Sequence, residues 1–175
     1  MSRKRALSRC LLSALVLVSL LWSMPAEGAT GRTTTTVAGG WTSLINCAFT
    51  AFDPATGKFA CTGSTLWDGA WTGITHYTAS GVFNLTTGDV RGSIDEVFTG
   101  VYTTDHSMGT LTFHESFTID GATNAILITA NITGSSGDAT FGCSKGRVTF
   151  DGIDTPATGL GGYEGKWVHG CVKRK

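Results

Sequence analysis

The chain has 175 residues, with 13 Lys and Arg against 13 Asp and Glu, 24 glycines and three prolines. A length of this order suits one domain with a real core. The charge is balanced and forms no basic stripe, which argues against a nucleic-acid partner.

Residues 1–29 read as a secretory signal peptide. Arg3, Lys4 and Arg5 make a basic start, Leu11–Trp22 is a short apolar run, and small residues lead to cleavage near Ala26 or Ala29. The run is shorter than the roughly 20 residues that span a bilayer, so no stable membrane insertion is expected after cleavage. Cleavage after Ala29 leaves nine basic against twelve acidic residues. Residues 30–40 are expected to form a flexible leader, residues 41–171 a single β domain, and residues 172–175 a basic tail. The address that follows is secreted and extracellular.

The chain holds 28 threonines beside its glycines. Thr suits a pleated, half-exposed surface and Gly suits tight turns. No segment after the leader sustains a 3.6-residue period. Eight strands are predicted, near 41–51, 58–65, 72–85, 90–103, 109–119, 124–133, 139–150 and 160–170. Their short connections favour an antiparallel up-and-down barrel over a sandwich.

The first two predicted strands carry Cys47 and Cys61 on either side of the turn "DPATGK". Cys143 and Cys171 fall late in the chain. Four cysteines in an exported protein favour two disulfides over a metal site, and their spacing is not that of zinc ligands. Cys47–Cys61 would clip the first hairpin, and Cys143–Cys171 would tie the last strand to an earlier one. Each closure is worth about 3 kcal/mol on the chain-entropy model.

The fourth and fifth predicted strands carry the candidate chemistry. Ile94, Glu96, Phe98, Gly100 and Tyr102 share one face. So do Leu111, Phe113, Glu115, Phe117 and Ile119. A carboxylate therefore interrupts each apolar row. A turn centred between Asp105 and His106 would set Glu96 opposite Glu115, and a two-residue slip would make them diagonal neighbours. Two such groups walled by aromatics cannot both ionise cheaply, and a pair sharing one proton holds an acid and a base together. The ordinary alternative is a wet rim, with the glutamates solvated or bonded to Lys58, Arg91 or Arg147. Ile94, Phe98, Tyr102, Leu111, Phe113 and Phe117 are the expected ligand-binding wall around the catalytic candidates Glu96 and Glu115.

Other residues point elsewhere. His76, His106, His114 and His169 are scattered, with no metal-ligand spacing. His114 falls on the outward, polar row. No nucleophile elbow is present, and neither a metal nor a cofactor is expected. Trp41, Trp67, Trp71 and Trp167 either fill the barrel or stack on sugars from its surface.

The order "TGDVRGSIDEVFTGVY", "GTLTFHESFTIDG" and "PATGLGGYEGKW" resembles the allene oxide cyclase-like barrel proteins, notably the bacterial group of uncharacterised function. Gly88, Val90, Gly92, Glu115, Phe117, Gly121, Thr158, Gly159, Gly162 and Gly165 carry the resemblance, over about half the chain. It implies a small eight-stranded barrel with an apolar interior. The plant cyclases of this type use a cavity glutamate in isomerising a fatty-acid epoxide, whereas dirigent proteins share the barrel and steer radical coupling without a cofactor. Barrels of this fold often form dimers or trimers, and the sequence neither supports nor excludes a homo-oligomer here. The expected role is to hold a small apolar or amphipathic molecule inside the barrel. The alternatives are a cofactor-free isomerase or cyclase using Glu96 and Glu115, and a carbohydrate- or partner-binding surface module.

Overall fold

The computed structural model describes residues 31–155 and 157–171; the expected signal peptide and basic tail lie outside the described residues. The chain forms β1 (Thr33–Phe52), β2 (Lys58–Gly69), β3 (Trp71–Phe83), β4 (Val90–Tyr102), β5 (Ser107–Ile119), β6 (Ala125–Gly137), β7 (Lys145–Asp154) and β8 (Gly159–His169). Each strand pairs antiparallel with the next, and β8 returns to β1, closing an up-and-down barrel. Closure removes the exposed strand edges of an open sheet.

Closure also corrects the expected leader. Residues from Thr33 onward are strand, and Thr33 to Thr42 pair with β8 from His169 to Leu160. The threonine run 33–36 is β-prone, and β8 would lack a partner on that side without it. A second boundary shifts in the opposite sense. The strand expected from 139 begins at Lys145, because residues 138–144 turn back and set Phe141 into the core.

Both disulfides pair as expected. Cys47–Cys61 joins β1 to β2 with Cα atoms 5.1 Å apart. Cys143–Cys171, at 5.3 Å, ties the β6–β7 loop to the residue just past β8, rather than strand to strand.

The barrel interior has two unlike halves. Toward the β2–β3, β4–β5 and β6–β7 connections it is packed solid. Trp67 stacks on Trp71 and Phe98, and Trp71 meets Trp167 edge to face at 5.4 Å. Tyr102, Leu111, Phe113 and Phe141 fill the remaining space. The Tyr163 hydroxyl accepts from the Trp71 N–H at 2.9 Å and donates to the Trp71 carbonyl at 3.1 Å, pinning the β2–β3 turn. Burial pushes that phenol up to about 12.

The opposite end is an open cup. Its rim is the β1–β2, β3–β4, β5–β6 and β7–β8 connections. A ring of hydrogen bonds ties these together. Phe83 N–H donates to Gly57 O at 2.9 Å, Gly121 N–H to Asp89 Oδ1 at 2.9 Å, and Asp154 N–H to Asn124 O at 2.8 Å. Asn46 Nδ2 closes the ring by donating to Asp154 Oδ1 at 2.8 Å and to Thr155 O at 2.6 Å. The mouth is thus held open by its own backbone.

Candidate functional site

The cup encloses a cavity of about 670 Å³. That is within the usual range of small-molecule pockets, roughly 300–1,000 Å³. Its walls are apolar, with Phe59 from β2, Phe117 from β5, Ile126 and Ile128 from β6, and Phe150 from β7. Phe117 lies over Gly92 across the β4–β5 ladder, and a Cβ at Gly92 would come within 2.8 Å of its ring. The glycine is what lets the ring lie flat on the wall. Phe59 uses Gly81 in the same way, at 3.0 Å.

Glu96 and Glu115 both face this cavity. They are buried, with 5% and 3% of their surface exposed. The wet-rim alternative is therefore excluded, and neither Lys58, Arg91 nor Arg147 reaches them in an ion pair. Direct opposition of the two does not hold. Ile94 stands opposite Glu115 and Phe113 opposite Glu96, so the glutamates are diagonal neighbours. The cause is the β4–β5 turn. Asp105 Oδ1 accepts from the Ser107 N–H at 2.9 Å and His106 adopts φ 59°, so Ser107 pairs with Tyr102. The turn is centred one residue earlier than expected, which moves the register by two and leaves the faces unchanged.

Diagonal neighbours on one face remain within reach of long side chains. The two carboxyl groups hydrogen-bond each other. The buried Thr75 hydroxyl, beside Glu96, donates to the Thr65 carbonyl at 3.5 Å. Burial raises both carboxyls. Glu115 stands well above the usual carboxylate range, from burial first and then from the charge of Glu96. Burial raises Glu96 as well, an effect that Glu115 and Thr75 beside it oppose. Two adjacent buried carboxyls cannot both ionise cheaply, so the pair holds at least one proton between them. Glu115 Oε1 is buried and has no hydrogen-bond partner among the described residues.

The expected ligand wall divides between the two halves of the barrel. Ile94 and Phe117 line the cavity. Phe98, Tyr102, Leu111 and Phe113 do not; they belong to the packed half, where Trp67, Trp71 and Trp167 cover them. Trp41, Trp67, Trp71 and Trp167 are all buried, so a surface row of tryptophans for stacking on sugars is absent among the described residues. His114 points outward as its row implied, 2.8 Å from Asp95.

Several cavity residues carried no sequence signal. Tyr77 projects inward from β3, and its hydroxyl accepts from the Cys47 N–H at 3.1 Å. Asp154 is raised by burial, an effect that its hydrogen bond from Asn46 opposes. Cys47 has φ 32°, and the β1–β2 ladder shifts register between Ile45 and Ala48. This bulge swings Asn46 into the rim, and alternation along β1 does not foretell it.

No family model and no curated protein matches the chain.

Proposed function

We propose that this protein binds a small apolar or amphipathic molecule in the cup, with the apolar part against Phe59, Phe117, Ile126 and Ile128 and a polar group at Glu96 and Glu115. The observation that carries this reading is the pairing of a pre-formed, aromatic-walled cavity with one buried, unpartnered carboxyl oxygen at its floor. A buried acceptor without a donor costs free energy, about 1–3 kcal/mol, unless something occupies it. We further propose that the protein is exported; the two disulfides are consistent with an extracellular protein. The closed eight-stranded barrel with a glutamate in its cavity supports the allene oxide cyclase-like resemblance.

A neutral fluorescent probe, N-phenyl-1-naphthylamine, tests the reading. One probe per chain should bind with enhanced emission, and Ala79→Trp should abolish binding by filling the cup, since Ala79 lines it. Undiminished binding to a folded A79W protein would place the probe elsewhere and end the cup reading.

A second reading has its own observation. One proton shared by Glu96 and Glu115 beside an apolar cavity is equipment for cofactor-free isomerisation or cyclisation, with Glu115 as acid and Glu96 as base. Turnover of a labile apolar epoxide that disappears in both Glu96→Gln and Glu115→Gln would select it over simple binding.

A further inference from the structure

The cavity walls are electrostatically one-sided. Among the described residues they include three carboxyl groups, Glu96, Glu115 and Asp154, and no Lys, Arg or His. An anionic amphiphile entering this space would bring its charge against buried carboxyls with no cation to receive it. Burying an unpaired charge is among the costliest steps a binding site can take. A neutral amphiphile meets no such barrier, but it leaves the charge of the floor unbalanced.

We infer that the cup selects amphiphiles carrying a primary amine, the ammonium seated between Glu115 Oε1 and the Glu96 carboxylate and the apolar body held by the aromatic walls. This rests on the cup reading above and names its ligand class. Three features support it. Glu115 Oε1 is an acceptor that is buried and unpartnered, so it asks for a donor rather than for another oxygen. The pair with one shared proton carries a single negative charge, which one ammonium neutralises. The hydroxyls near the floor, from Thr65 and Tyr77, can meet a third ammonium hydrogen without adding charge. Asp154, held by Asn46 at the rim, adds a second negative site along the route inward.

The test is a headgroup comparison on the full-length mature protein, with n-octylamine, n-octanol and n-octanoate titrated below their aggregation concentrations by calorimetry. Octylamine should bind at least about tenfold tighter than octanol, and octanoate weakest of the three. The Glu96→Gln/Glu115→Gln double variant should reduce the octylamine preference toward that of octanol. If octanol binds as tightly as octylamine, and A79W abolishes both, the amine inference is overturned and the cup reading stands. If none of the three binds, and the neutral naphthylamine probe does not either, both fall together. An octylamine preference unchanged in the E96Q/E115Q double variant would assign it to surface carboxylates and also overturn the inference. The wild-type comparison needs no variant to fold, and Asp154→Asn provides a second one should the double variant not accumulate.

Discussion

The two halves of this barrel are built from the same alternation and end in opposite states. In the closed half, rings from β2, β3, β4, β5 and β8 meet at the axis and exclude water. In the cup, Phe59 and Phe117 stay at the wall and leave the axis empty. In the closed half, Tyr163 bonds the Trp71 backbone and the Trp167 indole donates to Ser144 Oγ at 2.9 Å, while Trp71 Nε1 has no partner among the described residues. In the cup, Glu115 Oε1 likewise has none. A small domain thus separates the part that makes it stable from the part that is free to bind.

The largest expected effect tests that division. Trp71→Ala should cost about 3–5 kcal/mol, because a fully buried indole leaves a cavity the surrounding rings cannot close. Phe117→Ala, in the half that is already hollow, should cost less and should weaken probe binding more. Equal losses in chemical denaturation would dissolve the distinction between the halves.

Next in size are the disulfides, one in each half. Removing either by paired Cys→Ser replacement should cost about 3 kcal/mol, with the 28-residue closure of Cys143–Cys171 somewhat ahead of the 14-residue closure of Cys47–Cys61. Only loss of Cys47–Cys61 should change ligand binding, because both its cysteines line the cup.

The pH dependence is a subtler contrast. Glu96 and Glu115 bind protons more tightly folded than unfolded. Their contribution to stability is therefore complete below the unfolded value of about 4.3 and is lost as pH rises through their folded values. The carboxylates of three rim turns, Asp53, Asp89 and Asp120, have the opposite sign, whereas Asp154 at the rim is raised by burial. Asp89 is lowered chiefly by the Gly121 N–H, and Asp53 and Asp120 by their own turns. Their contribution is present above about 3.9 and is lost as pH falls through their folded values. Thermal unfolding should show highest stability on the acid side of neutrality. E115Q should flatten the decline toward neutral pH without altering the loss in acid. An unchanged decline in E115Q would remove the floor pair as its source.

The smallest effect is at the mouth. Phe49 is 65% exposed and packs on Phe59 at 5.8 Å. Phe49→Ser should change stability by no more than about 0.5 kcal/mol and lower affinity for apolar probes only a few-fold.

Much of this was legible in the chain. Alternation told which residues face inward, so the shared face of Glu96 and Glu115 could be read, as could the barrel and both disulfide pairings. Alternation carries no information about height along the barrel axis. That is why Phe98 and Phe113 read the same as Ile94 and Phe117, although the first two are plug and the others are wall. Register depended on the β4–β5 turn, where Asp105 and His106 chose the centre. One regularity went unread. Asp53, Asn84 and Asp120 each begin a turn in which their side-chain oxygen caps the N–H two residues on. Each turn ends on a left-handed residue, Gly57, Gly88 or Asn124. These three similar turns form most of the cup rim.

The most direct measurement is a carboxyl-carbon NMR titration of Glu96 and Glu115, assigned with each Glu→Gln variant. Both should titrate above about 4.3, Glu115 the higher, and Glu96→Gln should bring Glu115 down by removing the neighbouring charge. Two independent titrations near the ordinary value would contradict an enclosed, proton-sharing pair at the floor of the cup.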